Sequence, residues 1–141
     1  MISRKEIKKL SNHRLKEAKE LFRLGYYESA FHLGGYCVEL ALKARICRNI
    51  GVDDLFKSKY LKKFKIHEFD ELLMFSGLLG KMETEKNNNS ALFANWSIIC
   101  SWNSESRYDT IGHRRQADVE RFLKAIEHPT EGFYTWIKRY W

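Results

Sequence analysis

The chain has 141 residues, a formal net charge of +7 and a single proline. With apolar residues at 44% and aromatics at 14%, it can bury a core of its own, which excludes a disordered polyelectrolyte. One proline (Pro129) and eight glycines are too few for the turns of a β-sandwich and point to helices in one domain.

Residues 4–24 place Ile7, Leu10, Leu15, Ala18, Leu21 and Phe22 near i, i+3, i+4 spacing, the pattern of an amphipathic helix. Lysines and arginines fill its other faces, and Gly25 stands where a left-handed residue stops a helix. Residues 27–49 predict a second helix, more apolar and therefore central. Its small residues Ala30, Gly34, Cys37, Ala41 and Ala44 recur at spacings 4, 3, 4, 3, a seam where another helix can approach closely. A glycine inside a helix costs about 1 kcal/mol relative to alanine. The adjacent Gly34 and Gly35 therefore imply a contact that offsets this cost. The short link Leu24-Gly25-Tyr26 folds the two helices into an antiparallel hairpin.

Gly51-Val52-Asp53-Asp54 opens a connector. Residues 57–65 are basic, with Phe56, Tyr60, Leu61 and Phe64 interleaved, and read as a loop or short helix. Residues 68–79 predict a third helix. A polar run over 86–90 ends on Ser90, which can cap a fourth helix reaching about Cys100. Residues 101–112 show neither helical nor strand period and form a loop holding Trp102, Arg107 and Tyr108. Residues 114–127 predict a fifth helix with Val119, Phe122, Leu123 and Ile126 on one face. Pro129 separates it from an aromatic last helix containing Phe133, Trp136, Ile137, Tyr140 and Trp141. The expectation is an all-α bundle of five or six helices, one domain over 1–141, its core in 1–128 and an aromatic helix in 129–141.

The longest weakly charged stretch, residues 26–41, is interrupted by Glu28, His32 and Glu39 and is too short to span a bilayer. The first residues enter a charged helical pattern without the apolar core of a signal peptide. Cys37 and Cys47 share one helix at roughly 15 Å separation, too far to bridge. With Cys100 the count is odd, so free thiols and a cytoplasmic location are expected. There is no GxGxxG, P-loop, GxSxG, CxxC or HExxH, and the five histidines are dispersed. Neither a metal site nor a cofactor is expected.

The charge is uneven. Residues 1–24 hold eight Lys/Arg against three Asp/Glu, a net +5, and residues 43–65 hold eight against two, a net +6. Two basic segments suggest an anionic partner such as nucleic acid or nucleotide, or else two solvated faces. On the second helix His32, Tyr36, Glu39 and Lys43 fall on one stripe at spacings 4, 3, 4. This is an internal Glu39–Lys43 pair or the wall of a polar cleft. In the loop, Arg107 and His113 are separated by five residues. An arginine grips phosphate through paired hydrogen bonds, and a histidine exchanges protons near neutral pH. Together they can cleave RNA at a 2′-hydroxyl without a metal. The alternative is that Arg107 pairs with Glu39 or Glu105 and His113 merely precedes a helix.

The run Leu24-Gly25-Tyr26-Tyr27-Glu28-Ser29-Ala30 leading to Val38-Glu39-Leu40-Ala41-Leu42-Lys43-Ala44 resembles the helical hairpin of HEPN domains. His67 with Leu72-Leu73 resembles the family's next helix entry, and Trp102 with Arg107-Tyr108 its "W…RY" stretch. The resemblance covers roughly residues 10–128. It implies a HEPN-like helical bundle that forms homodimers and binds RNA or nucleotide. It also implies a setting in toxin–antitoxin, phage-defence or nucleotidyltransferase-associated systems, with a nucleotidyltransferase or antitoxin partner. Ribonuclease members carry an arginine and a histidine four to six residues apart, a spacing that Arg107 and His113 satisfy. Tyr108 follows the arginine where active members usually carry a small polar residue. The leading expectation is phosphate binding through Arg107 and the basic segments, with Glu39, Lys43, Trp102 and Tyr108 as further ligand contacts. Metal-independent ribonuclease action by Arg107 and His113 is the alternative, and a non-catalytic interaction module the third reading.

Overall fold

A computed structural model of the chain describes residues 2–53 and 68–141. Among them are seven α-helices, one 3₁₀ turn and no strand. The helices are α1 (Arg4–Arg23), α2 (Tyr27–Ile50), α3 (Phe69–Phe75), α4 (Leu79–Asn88), α5 (Ser90–Ile99), α6 (Gln116–Glu127) and α7 (Phe133–Ile137). The 3₁₀ turn spans Ser104–Tyr108. The basic segment 57–65 and the helix entry at His67 lie outside the described residues.

α1 begins with a reciprocal capping box. Ser3 Oγ accepts from Glu6 N at 3.2 Å, and Ser3 N donates to the Glu6 carboxylate at 2.8 Å. Its end is set by Gly25, at φ 87°, a conformation that L side chains rarely adopt. Tyr26 N then donates back to Leu21 O at 2.9 Å, and the chain reverses into α2. The hairpin is pinned halfway along, where the Ser11 hydroxyl donates to the Cys37 carbonyl at 2.8 Å.

α2 is enclosed from almost every side over residues 30–47. α1 packs on one flank, α6 on another, and α3 and the 3₁₀ turn on a third. The small residues make this possible. A β-carbon on Gly34 would lie 2.9 Å from Leu123 Cδ2 and 3.1 Å from Phe122 Cε1. One on Gly35 would run into the Trp102 indole. Trp102 stacks on Phe69, centroids 5.0 Å apart and planes at 6°. Phe31 meets Phe122 at 4.4 Å, and Trp96 meets Phe133 at 5.0 Å. The aromatic residues thus lock α3, α5, α6 and α7 around the central helix.

Several boundaries differ from the sequence expectation. The third helix does not run to residue 79: Gly77, at φ 78°, ends it and a separate α4 starts at Leu79. Asn89 caps α5, its side chain accepting from Leu92 N at 3.1 Å, and Ser90 is the first helical residue. The loop at 101–112 contains the 3₁₀ turn, capped by Asn103 Oδ1 accepting from Glu105 N at 3.0 Å. The last helix stops at Ile137. Pro129 follows the end of α6, as expected.

Gly35→Ala reverses the ordinary sign of a helix-propensity change. Intrinsic propensity alone would stabilise α2 by about 1 kcal/mol. The collision with Trp102 is expected to outweigh this and leave a net loss of about 1–3 kcal/mol. Urea denaturation measures it, and a stabilised variant would refute the close seat.

Candidate functional site at the Arg107 turn

The 3₁₀ turn is carried by Trp102, which is only 4% exposed and plugs the notch over Gly35. Four residues later Ser106 is buried, and its hydroxyl meets His32 Nδ1 on α2 at 3.0 Å. His32 also lies over the Trp102 ring, centroids 6.1 Å apart at 23°. The next residue, Arg107, is therefore placed by contacts that it does not itself make. Its guanidinium sits 4.8 Å from the Tyr108 ring centroid, and it forms no ion pair with any described residue. The alternative pairing with Glu39 or Glu105 does not occur.

The other end of the loop is fastened to the first turns of α2. Glu28 accepts from Gly112 N at 2.8 Å and from Arg114 N at 3.4 Å. Arg114 donates to Asp109 at 2.7 Å and lies over the Phe31 ring at 3.8 Å. Gly112 takes φ 84°, which lets the chain turn sharply just before His113. His113 is exposed, with its backbone N bonded to Thr110 O at 3.0 Å.

Glu39 is 1% exposed and pairs with Lys43 at 3.2 Å, so the pairing expected on this stripe is formed. Tyr108 is 73% exposed. Trp102 supports the turn from beneath rather than offering a free ring. Sequence reasoning placed Arg107, Tyr108 and His113 on one loop. It put His32 only on the α2 stripe that could wall a polar cleft, and assigned no site role to Glu28, Ser106, Asp109 or Arg114. The i, i+4 spacing of Glu28 and His32 on α2 was the only local hint, since their partners lie 84 and 74 residues away. Among the described residues, no group of three His, Cys, Asp or Glu side chains could hold a metal ion.

The His32 imidazole titrates below its usual value. Burial is the main cause and the nearby Arg107 charge adds to it, while Glu39 and Asp109 oppose it. The folded protein thus holds His32 neutral more readily than the unfolded chain does.

An enclosed helical hairpin flanked by shorter helices, with an exposed arginine on a fastened turn, defines a helical-bundle domain. The chain belongs to the HEPN domain family, whose model matches residues 5–139. The match extends past the hairpin and the Arg107 loop into the aromatic C-terminal segment. Neither the curated proteins nor the solved structures compared with the chain gave a match. No helix among the described residues is long and apolar enough to cross a membrane.

Two outcomes follow from this geometry. Glu28→Ala strips two backbone N–H groups of their acceptor and is expected to destabilise the loop by about 1–3 kcal/mol. Hydrogen exchange at Gly112 and Arg114 should quicken, while exchange at Ala41 and Leu42 holds steady. For His32, a lowered native pKa means that the unfolded chain binds the proton first as pH falls. Stability should decline from about pH 6.5 downward through the native pKa. Denaturation series over pH 5 to 7.5 should show a shallower decline in His32→Gln. An identical slope would rule out a neutral native His32.

Proposed function

We propose that this HEPN domain binds RNA or nucleotide phosphate through Arg107. The observation that carries this reading is the state of the guanidinium. It is exposed, free of any described carboxylate, and mounted on a turn tied to α2 through Ser106 and, farther along the loop, through Glu28. A fixed guanidinium offers paired donors that match phosphate oxygens. The exposed Tyr108 ring beside it can stack on a base. The basic face of α1 raises the local concentration of polyanions. Lys43 adds a cation on the neighbouring stripe, its charge partly neutralised by Glu39. The domain fits a toxin–antitoxin, defence or nucleotidyltransferase-associated setting, as a homodimer or beside a nucleotidyltransferase or antitoxin.

One observation favours a second reading. His113 is exposed on the same fastened loop as Arg107. In a metal-independent ribonuclease, His113 would take the proton of a 2′-hydroxyl while that oxygen attacks phosphorus. The P–O5′ bond breaks, water returns a proton to the leaving oxygen, and a 2′,3′-cyclic phosphate remains. Arg107 would stabilise the charge on the non-bridging oxygens.

Titrating a labelled single-stranded RNA at several salt concentrations tests the binding reading. Arg107→Ala should weaken binding by about tenfold or more, as expected for a lost hydrogen bond to a charged group. It should also reduce the slope of log K against log salt by about 0.7. His113→Ala should leave both unchanged. Unaltered affinity in Arg107→Ala would overturn this assignment. If wild-type protein in EDTA releases cyclic-phosphate ends, and both Arg107→Ala and His113→Ala abolish them, the ribonuclease reading holds.

A further inference from the structure

A concave site lies away from the Arg107 turn, between α1, the end of α6 and α7. It is a groove of about 510 Å³ lined by Asn12, Leu15, Lys16, Lys19, Glu127, Tyr134, Thr135 and Lys138. That volume falls within the usual range for small-molecule sites, about 300–1,000 Å³. Leu15 and Tyr134 are buried and form an apolar floor, which strengthens any charge interaction above it.

The polar groups around the floor are mostly donors. The lone carboxylate, Glu127, is committed to Lys19 at 3.0 Å. Asn12 Oδ1 accepts from the Tyr134 hydroxyl at 2.7 Å, so the same amide has its Nδ2 donor left without a described partner. The Thr135 hydroxyl donates to the His128 carbonyl at 3.1 Å. Lys138 is braced over the Tyr134 ring at 4.3 Å, and Lys16 pairs with no described acid. Two uncommitted ammonium groups and one amide donor thus share a groove whose only carboxylate is already neutralised. A ligand there must bring acceptors and negative charge.

We infer that this groove is a phosphate-binding site, held by Lys16, Lys138 and the Asn12 amide. It takes either a free nucleotide or the backbone of an RNA strand. Phosphate suits the arrangement because its several oxygens can accept from ammonium and amide donors together. The inference is independent of Arg107, since no residue of the groove belongs to the 3₁₀ turn or to α2.

The test follows the Asn12 side-chain amide resonance while inorganic phosphate, adenosine monophosphate and a short single-stranded RNA are added separately to the full chain. A shift with phosphate or the mononucleotide identifies a free-nucleotide site, and a shift with RNA alone identifies a strand contact. A Lys16→Ala/Lys138→Ala double variant should lose the shift. For RNA, its log K against log salt slope should fall by about 1.4, or two phosphate contacts at about 0.7 each. Lys5→Ala/Lys9→Ala removes the same charge elsewhere on α1 and should keep the shift. Equal losses in the two double variants, no shift with any probe, or an equal shift with a glutamate-rich peptide would overturn the assignment. If Arg107→Ala is silent while the groove variant weakens binding, the groove stands and the Arg107 reading falls. The reverse pattern removes the groove and leaves Arg107.

Discussion

The whole arrangement depends on how closely neighbours approach α2. A helix buried on nearly all sides must offer little side-chain volume wherever another element crosses it. Gly34 gives that room to Phe122 and Leu123, and Gly35 gives it to Trp102. The Trp102 seat fixes the start of the 3₁₀ turn, the turn carries Ser106 onto His32, and Arg107 is the next residue along. The Trp102 indole N–H is buried without a hydrogen-bond partner among the described residues, at a cost of about 1–3 kcal/mol. The fold tolerates that cost where ring packing against Phe69 and the α2 backbone holds the turn in place. Two glycines in the middle of a helix therefore set the position of an exposed side chain on a distant loop.

The two arginines on this loop show what the electrostatics select. Arg114 is neutralised by Asp109, covers Phe31 and sits beside the Glu28 latch. It is a structural cation. Arg107, a few residues earlier, has an aromatic neighbour and no described carboxylate. Acids are not scarce nearby, since Glu105 and Asp109 flank it in sequence. One of them is spent on Arg114, and the other forms no ion pair with a described residue. The half-buried His32 is held towards its neutral form, chiefly by burial and partly by Arg107 itself. Among the described residues Arg107 thus forms no ion pair, the state on which the proposed anion contact rests.

The hairpin was legible because its signals are local. Periodic apolar residues and the Gly25 stop act within a few residues, and the structure adds two equally local signals, the Ser3/Glu6 capping box and the left-handed Gly51. The break at Gly77 was not legible. Leu72, Leu73, Leu78 and Leu79 suit one continuous helix, and only the left-handed backbone at Gly77 splits them. The 3₁₀ turn is five residues long, too short to establish a period. The latch on Glu28 and the contact between His32 and Ser106 join residues 84 and 74 positions apart. No local pattern encodes such pairings. Chemistry-bearing residue types could be read from the sequence, but the groups that hold them still could not.

That difference bears on how a single arginine can matter. A free arginine side chain loses up to about 2 kcal/mol of rotamer entropy when it is immobilised on a ligand. Stacking on Tyr108 and a fastened backbone settle part of that cost before any ligand arrives. The remaining surface lysines, such as Lys5 and Lys9, are exposed on the flank of α1 and must lose that freedom on contact. They attract a polyanion over a distance set by salt, without choosing its orientation. Arg107 has the same charge, but the backbone that carries it is fastened by the glycine seat, the Ser106 contact and the Glu28 latch. On the proposed reading, charge would bring the ligand to the domain and packing around α2 would decide where it is held.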